Sequence, residues 1–181
     1  MKILKFDTLE SVDFQKLMEI YVEGNAENIS YFFPDETDHL AGLHKVERKF
    51  YDYLKTGFFN KRGSSYYVLE DGGNWVSAIR LFPVEGQKNT FFAEALETAP
   101  KYRRKGYARK MISLLYDKLK EDGDFEITDT VNKHNTVSVN LHLSCGFEVY
   151  KDPAVCVLNG QVDKNAYTMR YKSEKADKTQ K

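Results

Sequence analysis

Residues 103 to 108 read Arg103-Arg104-Lys105-Gly106-Tyr107-Ala108, a run whose residue types suit a phosphorylated ligand. The first turn of a helix carries backbone N–H groups without intrahelical partners, and the helix dipole places partial positive charge there. A pyrophosphate docks on such a turn where the backbone can approach closely. Gly106 permits that approach because it lacks a Cβ, and Ala108 keeps the next contact small. Arg103, Arg104 and Lys105 add charge around the anion. The competing reading is a loop glycine beside a solvated basic cluster. The position of the run, after a strand and before an amphipathic helix, favours the phosphate reading. No Gly-Lys-Ser/Thr follows, so the run is not a nucleotide P-loop, and it does not match the three-glycine dinucleotide fingerprint.

A second constellation lies downstream. Asn135, Ser138 and His142 are spaced i, i+3 and i+7, which puts them on one helix face. Gly146 suits the C-terminal cap of that helix and Phe147 the start of a buried strand. Imidazolium near neutrality can serve as an acid, while a lone histidine on a half-buried helix is as readily structural. Asn135 is equally an N-cap, and Ser138 a small packing residue.

These groups need a scaffold, and the periodicities supply one. Ile3 to Phe6 reads as a first strand, and Asp7 with Glu10 has capping-box spacing that announces a helix. Phe14, Leu17, Met18 and Tyr21 form its apolar stripe. A second helix is expected from about Asp38 to Lys55, with Leu43, Val46, Phe50 and Leu54 on one side. Ser65 to Glu70 and Trp75 to Leu81 are strand-like runs joined by the turn Asp71-Gly72-Gly73-Asn74. A third strand, Thr90 to Thr98, stops before Pro100. Its alternation places Phe92, Glu94, Leu96 and Thr98 on one face and Ala93, Ala95 and Glu97 on the other. Arg104 to Glu121 is the clearest helix, with Ala108, Met111, Ile112, Leu115 and Leu119 as its stripe. A strand at Phe125 to Thr130, a helix at Asn135 to Cys145 and strands from Phe147 and at Ala166 to Tyr171 follow. The order predicts an α+β domain with a mixed sheet. Residues 1 to 172 are expected to form one domain, and 173 to 181 a frayed polar tail.

The 181 residues suit one core, and the 27 basic residues balance the 27 acidic ones. That balance argues against nucleic-acid binding through bulk charge. Cys145 and Cys156 are too few for a disulfide framework and form no metal-ligand pair. No stretch approaches the ~20 apolar residues of a membrane helix, and Met1 to Asp7 lacks the sustained apolar core of a signal peptide. A cytoplasmic protein with no metal, no nucleic-acid partner and no membrane is expected.

The run from Leu96 to Ala108 resembles the strand-four to helix-three motif of the Gcn5-related N-acetyltransferase (GNAT) family, in which an R/Q-x-x-G-x-G/A turn binds the coenzyme A pyrophosphate. Asn135 to Phe147 resembles the family's N-x-x-S/A…L-Y/H…G-F motif. The resemblance covers both signatures in the right order. Thr98 stands where the family more often has Val. It implies a GNAT fold, a mixed and mostly antiparallel central sheet flanked by helices, and acetyl-CoA as co-substrate. It also implies that Leu96, Thr98, Arg103, Arg104, Lys105, Gly106, Tyr107, Ala108, Asn135 and Ser138 contact the cofactor. His142 stands where many members carry a tyrosine that protonates the departing thiolate, and Glu94 resembles the base of several small-amine members. Glu97 is the competing carboxylate, which otherwise faces solvent or pairs with a lysine. The implied activity is acetyl transfer to a primary amine of a small molecule or peptide by direct attack, in a monomer or homodimer. A non-catalytic acyl-CoA-binding or regulatory module on the same fold is the alternative. Residues 28 to 39, with Asp35, Glu36 and Asp38 among aromatics, either line the acceptor pocket or form a surface loop that completes the core.

Overall fold

The computed structural model describes residues 1 to 173, and the expected tail from residue 174 on lies outside the described residues. The strands β1 (Lys2–Phe6), β2 (Ser65–Asp71), β3 (Asn74–Pro83), β4 (Thr90–Thr98), β5 (Glu126–Asn132), β6 (Glu148–Lys151) and β9 (Ala166–Lys172) form one seven-stranded, mixed but mostly antiparallel sheet in the order β1-β2-β3-β4-β5-β9-β6. Four α-helices accompany it. The described residues divide into two compact units, one of Met1–Arg80 and Ala95–Met111, the other of Leu81–Glu94 and the described residues from Ile112 on.

In the first unit, β1 (Lys2–Phe6) pairs antiparallel with β2 (Ser65–Asp71), from Lys2 opposite Glu70 to Phe6 opposite Tyr66. β3 (Asn74–Pro83), whose last residues from Leu81 on belong to the second unit, follows a turn in which Gly72 and Gly73 have φ of 56° and 83°. Successive left-handed residues are what a two-residue hairpin turn needs, so the glycines specify it. Two helices, α1 (Phe14–Phe32) and α2 (His39–Tyr53), complete the unit. α1 buries Leu17, Met18, Ile20, Tyr21 and Ile29. The expected capping box at Asp7 does not form, and only a short 3-10 turn spans Leu9–Ser11. Asp7 instead accepts the Ser65 hydroxyl at 2.6 Å, and Asp13 caps α1 by accepting from Lys16 N. Asp38 does cap α2, accepting from Leu40 N and Ala41 N. The helices meet closely where Gly42 faces Ile29, since a Cβ there would lie 2.7 Å from Ile29 Cγ2.

The element β4 (Thr90–Thr98) passes from the second unit into the first at Glu94–Ala95. The expected alternation breaks there, because Ala95 has φ 54°, a left-handed conformation unusual for alanine. The faces assigned on the two sides of Ala95 are therefore not continuous. The helix α3 (Tyr107–Lys120) begins three residues later than expected. Arg104 and Gly106 adopt φ of 64° and 81°, which helical backbone cannot accommodate.

In the second unit, the start of β4 runs parallel to β5 (Glu126–Asn132), with Ala93 opposite Asp129. β5 and β6 (Glu148–Lys151) both pair antiparallel with β9 (Ala166–Lys172). A small ribbon of β7 (Ala154–Val155) and β8 (Val162–Asp163) was not foreseen from the sequence. α4 (Thr136–Ser144) ends as expected on Gly146, whose φ is 89° and whose neighbour Phe147 donates its N–H to His142 O. Tyr116 stacks on Tyr171 at 3.9 Å beside Phe125 and Phe147, an aromatic core under β9. Ser173 extends β9, exchanging bonds with the Phe125 backbone.

Candidate functional site

The expected phosphate turn is positioned by three features of its own sequence. Pro100 starts a one-turn 3-10 helix, Pro100–Tyr102, that ends β4. Gly106 takes its left-handed conformation without strain, and a Cβ there would meet open space. The 14 residues of α3 then align their dipole on the turn. Arg104 and Lys105 are exposed, and Lys105 Nζ donates to Lys101 O at 3.1 Å. Tyr107 donates its hydroxyl to Asp71 at 2.7 Å, and that bond raises its pKa above the ordinary value.

Arg103 is used differently. Its Nε donates to Thr98 O at 3.1 Å, and its Nη groups pair with Glu23 and with Glu97, the latter at 3.0 Å. The side chain ties the end of β4 to α1. Glu97 is therefore held by an arginine, not the lysine expected, and its carboxylate is engaged. Thr98 Oγ1 donates to Ser77 Oγ at 3.1 Å, and Ser77 donates to Glu97 O at 2.6 Å. Leu96, Thr98 and the 103–108 turn all belong to the first unit.

Glu94, Asn135, Ser138 and His142 belong to the second. Asn135 caps α4 by accepting from Ser138 N at 3.0 Å. His142 is only 2% exposed. Its Nδ1 lies 2.8 Å from the Ser138 carbonyl, which can only accept, so Nδ1 carries a hydrogen. Its Nε2 lies 3.1 Å from Asp129 Oδ2, and a bond there needs one further proton on either partner. Asp129 and His142 thus share a proton. Burial pushes the Asp129 pKa up, against the opposing pull of His142. Burial opposes charge on His142, but Asp129 and the Ser138 carbonyl outweigh it and raise the pKa. Half-buried Glu94 is near enough for its charge to raise Asp129 further.

A cavity of about 570 Å³ opens in the first unit between α1, α2 and the strands. Its lining includes Tyr21, Asn25, Phe50, Tyr53, Arg80 and Ala95. Tyr21 donates to Ala95 O at 2.8 Å and accepts from Tyr66 at 2.7 Å. Of the segment expected to supply acids, only Asn28 and Phe32 line this cavity. Glu36 is bonded instead to Lys45 and to Asp38 N, and Asp38 caps α2. Sequence reasoning missed Arg80, Tyr21 and Asp129 as site residues. An arginine inside the run Trp75-Val76-Ser77-Ala78-Ile79-Arg80-Leu81, and an aspartate inside Ile127-Thr128-Asp129-Thr130-Val131, were the available signals, since charges are rarely buried without a task.

The mixed sheet, with a left-handed residue in β4, is followed by a glycine turn at a helix N-terminus. Residues 17–147 match the model of the acetyltransferase (GNAT) family, and the chain belongs to that family. Among solved structures it is similar to PaiA N-acetyltransferase from Thermoplasma acidophilum in complex with coenzyme A, at 17% identity and a TM-score of 0.62 over 96% of this chain and 100% of that one. It is also similar to the ribosomal-protein-S18-alanine N-acetyltransferase of Escherichia coli, at 17% identity, 99% of each chain and a TM-score of 0.60. YncA of Salmonella typhimurium, a putative acetyltransferase solved with acetyl-CoA, shares 22% identity over 97% of each chain with a TM-score of 0.56. Among the described residues no helix is long and apolar enough to cross a membrane.

Proposed function

We propose that this protein transfers the acetyl group of acetyl-CoA to a primary amine of a small molecule or peptide by direct attack, residues 1 to 172 acting as one cytoplasmic catalytic domain. The observation that carries this reading is the turn before α3, where Gly106 at φ 81° leaves open space over a helix N-terminus. That geometry fits a pyrophosphate. Backbone N–H groups of residues 104 to 108 would hold it, with Arg104 and Lys105 adding charge. Leu96 and Thr98 would contact the cofactor from β4, and Asn135 and Ser138 from α4. Acetyl-CoA supplies the activated thioester carbonyl.

The chain's own residues then have to orient the amine and manage protons. The cavity beside Ala95 is the acceptor pocket in this reading, since Ala95 directly follows Glu94. Glu94 takes the amine proton, directly or through water. Glu97, the competing carboxylate, is held by Arg103. His142 stores the proton destined for the leaving group. Both its ring nitrogens are engaged, so that proton passes out through Ser138 Oγ, which lies 3.4 Å from Nδ1.

Calorimetric titration with acetyl-CoA, with desulfo-coenzyme A and a Gly106→Glu variant as controls, tests the reading. Saturable binding that the variant loses, followed by amine-dependent thiol release, is the expected result. Absence of binding by folded protein at millimolar acetyl-CoA overturns it. Binding without thiol release from any amine would leave an acyl-CoA-binding module.

A further inference from the structure

Tyr21, Gly24, Asn25 and Asn28 fall at i, i+3, i+4 and i+7, and this one face of α1 lines the cavity of the first unit. A glycine inside a helix loses up to about 1 kcal/mol against alanine. Crowding can require one, as Ile29 does at Gly42, but a Cβ built on Gly24 meets no atom within 4 Å. Packing therefore does not explain Gly24, and the space it leaves open belongs to the cavity. Asn25 is only 5% exposed, and its Nδ2 donates to Met18 Sδ at 3.4 Å. Met18 stands outside the cavity lining, and a thioether can only accept. The nitrogen is thus fixed on the Met18 side, and Oδ1 is turned to the cavity. Among the described residues no donor pairs with that oxygen. A buried acceptor in this position is costly unless a ligand or solvent donor reaches it.

The rest of the wall is apolar or aromatic. Phe32, Val46, Phe50 and Tyr53 supply it, and the volume of about 570 Å³ suits a small molecule. Arg80 adds a stacked guanidinium, its central carbon 5.0 Å from the Tyr53 ring centre and 5.3 Å from that of Phe50. Tyr21 lies one turn before Asn25, and its hydroxyl is engaged by Ala95 O and Tyr66. In the proposed function the reacting amine sits by Ala95, so Asn25 is about 6 Å further along α1 and reads another part of the acceptor. We infer that the acceptor is an amine on an aromatic body that bears a second hydrogen-bond donor, a hydroxyl or N–H, which Asn25 Oδ1 accepts while Gly24 admits the body against α1. This rests on the cavity being the acceptor pocket, but both contacts act in binding and can be tested apart from transfer.

Three probes separate the terms. Phenethylamine has the amine and the ring, tyramine adds a hydroxyl that donates, and 4-methoxyphenethylamine keeps that oxygen but cannot donate. Titrated calorimetrically into the full chain, tyramine is expected to bind about fivefold or more tighter than the other two. Asn25→Leu, close in volume but without the amide, should bring tyramine down to the affinity of phenethylamine. Gly24→Ala should raise Tm, because alanine favours the helix and its methyl group meets no protein atom. The same variant should weaken all three probes about threefold or more, a loss that a merely structural glycine would not produce. It carries the test if Asn25→Leu does not fold. Tyramine binding no tighter than its relatives, a preference that survives Asn25→Leu, affinities untouched by Gly24→Ala, or no binding of any probe overturns the inference. Thiol release from acetyl-CoA is measured separately. Tyramine selectivity in binding without release for any amine would defeat the transferase reading and leave this one, whereas release indifferent to the ring hydroxyl would do the reverse.

Discussion

The hydroxyl of Tyr21 donates to the carbonyl oxygen of Ala95 at 2.8 Å, across 74 residues of sequence. A phenol has one hydrogen, so Tyr21 can accept from Tyr66 only while it donates to Ala95, and the direction of the chain is fixed. The bond falls on the residue of β4 with φ 54°. A left-handed alanine costs about 1–2 kcal/mol, and this buried relay helps to offset that cost.

Removing the relay should therefore disturb activity more than folding. Tyr21→Phe keeps the ring but loses the donor, and its expected stability loss is about 1 kcal/mol. In the proposed function Glu94 and Leu96 flank Ala95, so misplacement by a fraction of an ångström should lower kcat about tenfold or more. Affinity for acetyl-CoA should change little. A variant with normal kcat and a lowered Tm would show that the bond serves folding alone.

Two glycines of similar φ separate a binding role from a structural one. Gly106→Ala meets no neighbour, so its stability cost is about the 1 kcal/mol of a strained φ. In the proposed site its methyl group intrudes where the pyrophosphate approaches, and acetyl-CoA affinity should fall about tenfold. Gly146→Ala places a Cβ 3.3 Å from Tyr171 and strains the α4 cap, so it should lower Tm and leave affinity intact. Calorimetry and thermal unfolding of both variants check the contrast. Equal affinity losses would mean that Gly106 acts through the fold.

Arg103 gives a third contrast. Its guanidinium is engaged by Glu23 and Glu97, while Arg104 and Lys105 are exposed. The salt dependence of acetyl-CoA affinity should therefore shrink in Arg104→Ala and Lys105→Ala, and persist in Arg103→Ala. Titrations at low and high ionic strength decide it. A salt slope lost only in Arg103→Ala would place the phosphates on that side chain.

The contrast shows where the sequence was informative. Strand and helix periods, the Gly72–Gly73 hairpin and the Gly146 cap are local signals, and each was read close to its place. Failures arose where a distant partner overrode a local preference. Asp7 has the spacing of a cap but is claimed by Ser65, far along the chain. Ala95 has no local reason to leave β conformation, and the Tyr21 hydroxyl that stabilises the kink read only as part of a helix stripe. Glu36 turned to Lys45 and Asp38 to the α2 cap, whereas Arg80 was hidden within an apolar strand. Pairing across long separations is set by tertiary packing, which residue spacing does not encode.

The shared proton of Asp129 and His142 makes stability depend on pH in a defined direction. The His142 pKa is raised in the folded state above 6.5, so its stabilising effect is complete below the unfolded value and lost as pH rises through the folded one. Asp129, also raised, has the same sign. As pH rises above the ordinary imidazole range the unfolded chain gives up the proton that the native pair retains, so the contribution of this pair to stability should fall as pH rises. Urea unfolding of the wild type and of an Asp129→Asn, His142→Gln double variant between pH 6 and 9 isolates the effect. The difference between the two should narrow steadily with rising pH. A difference independent of pH would mean that the pair titrates no differently folded than unfolded, and that no proton is shared across the bond.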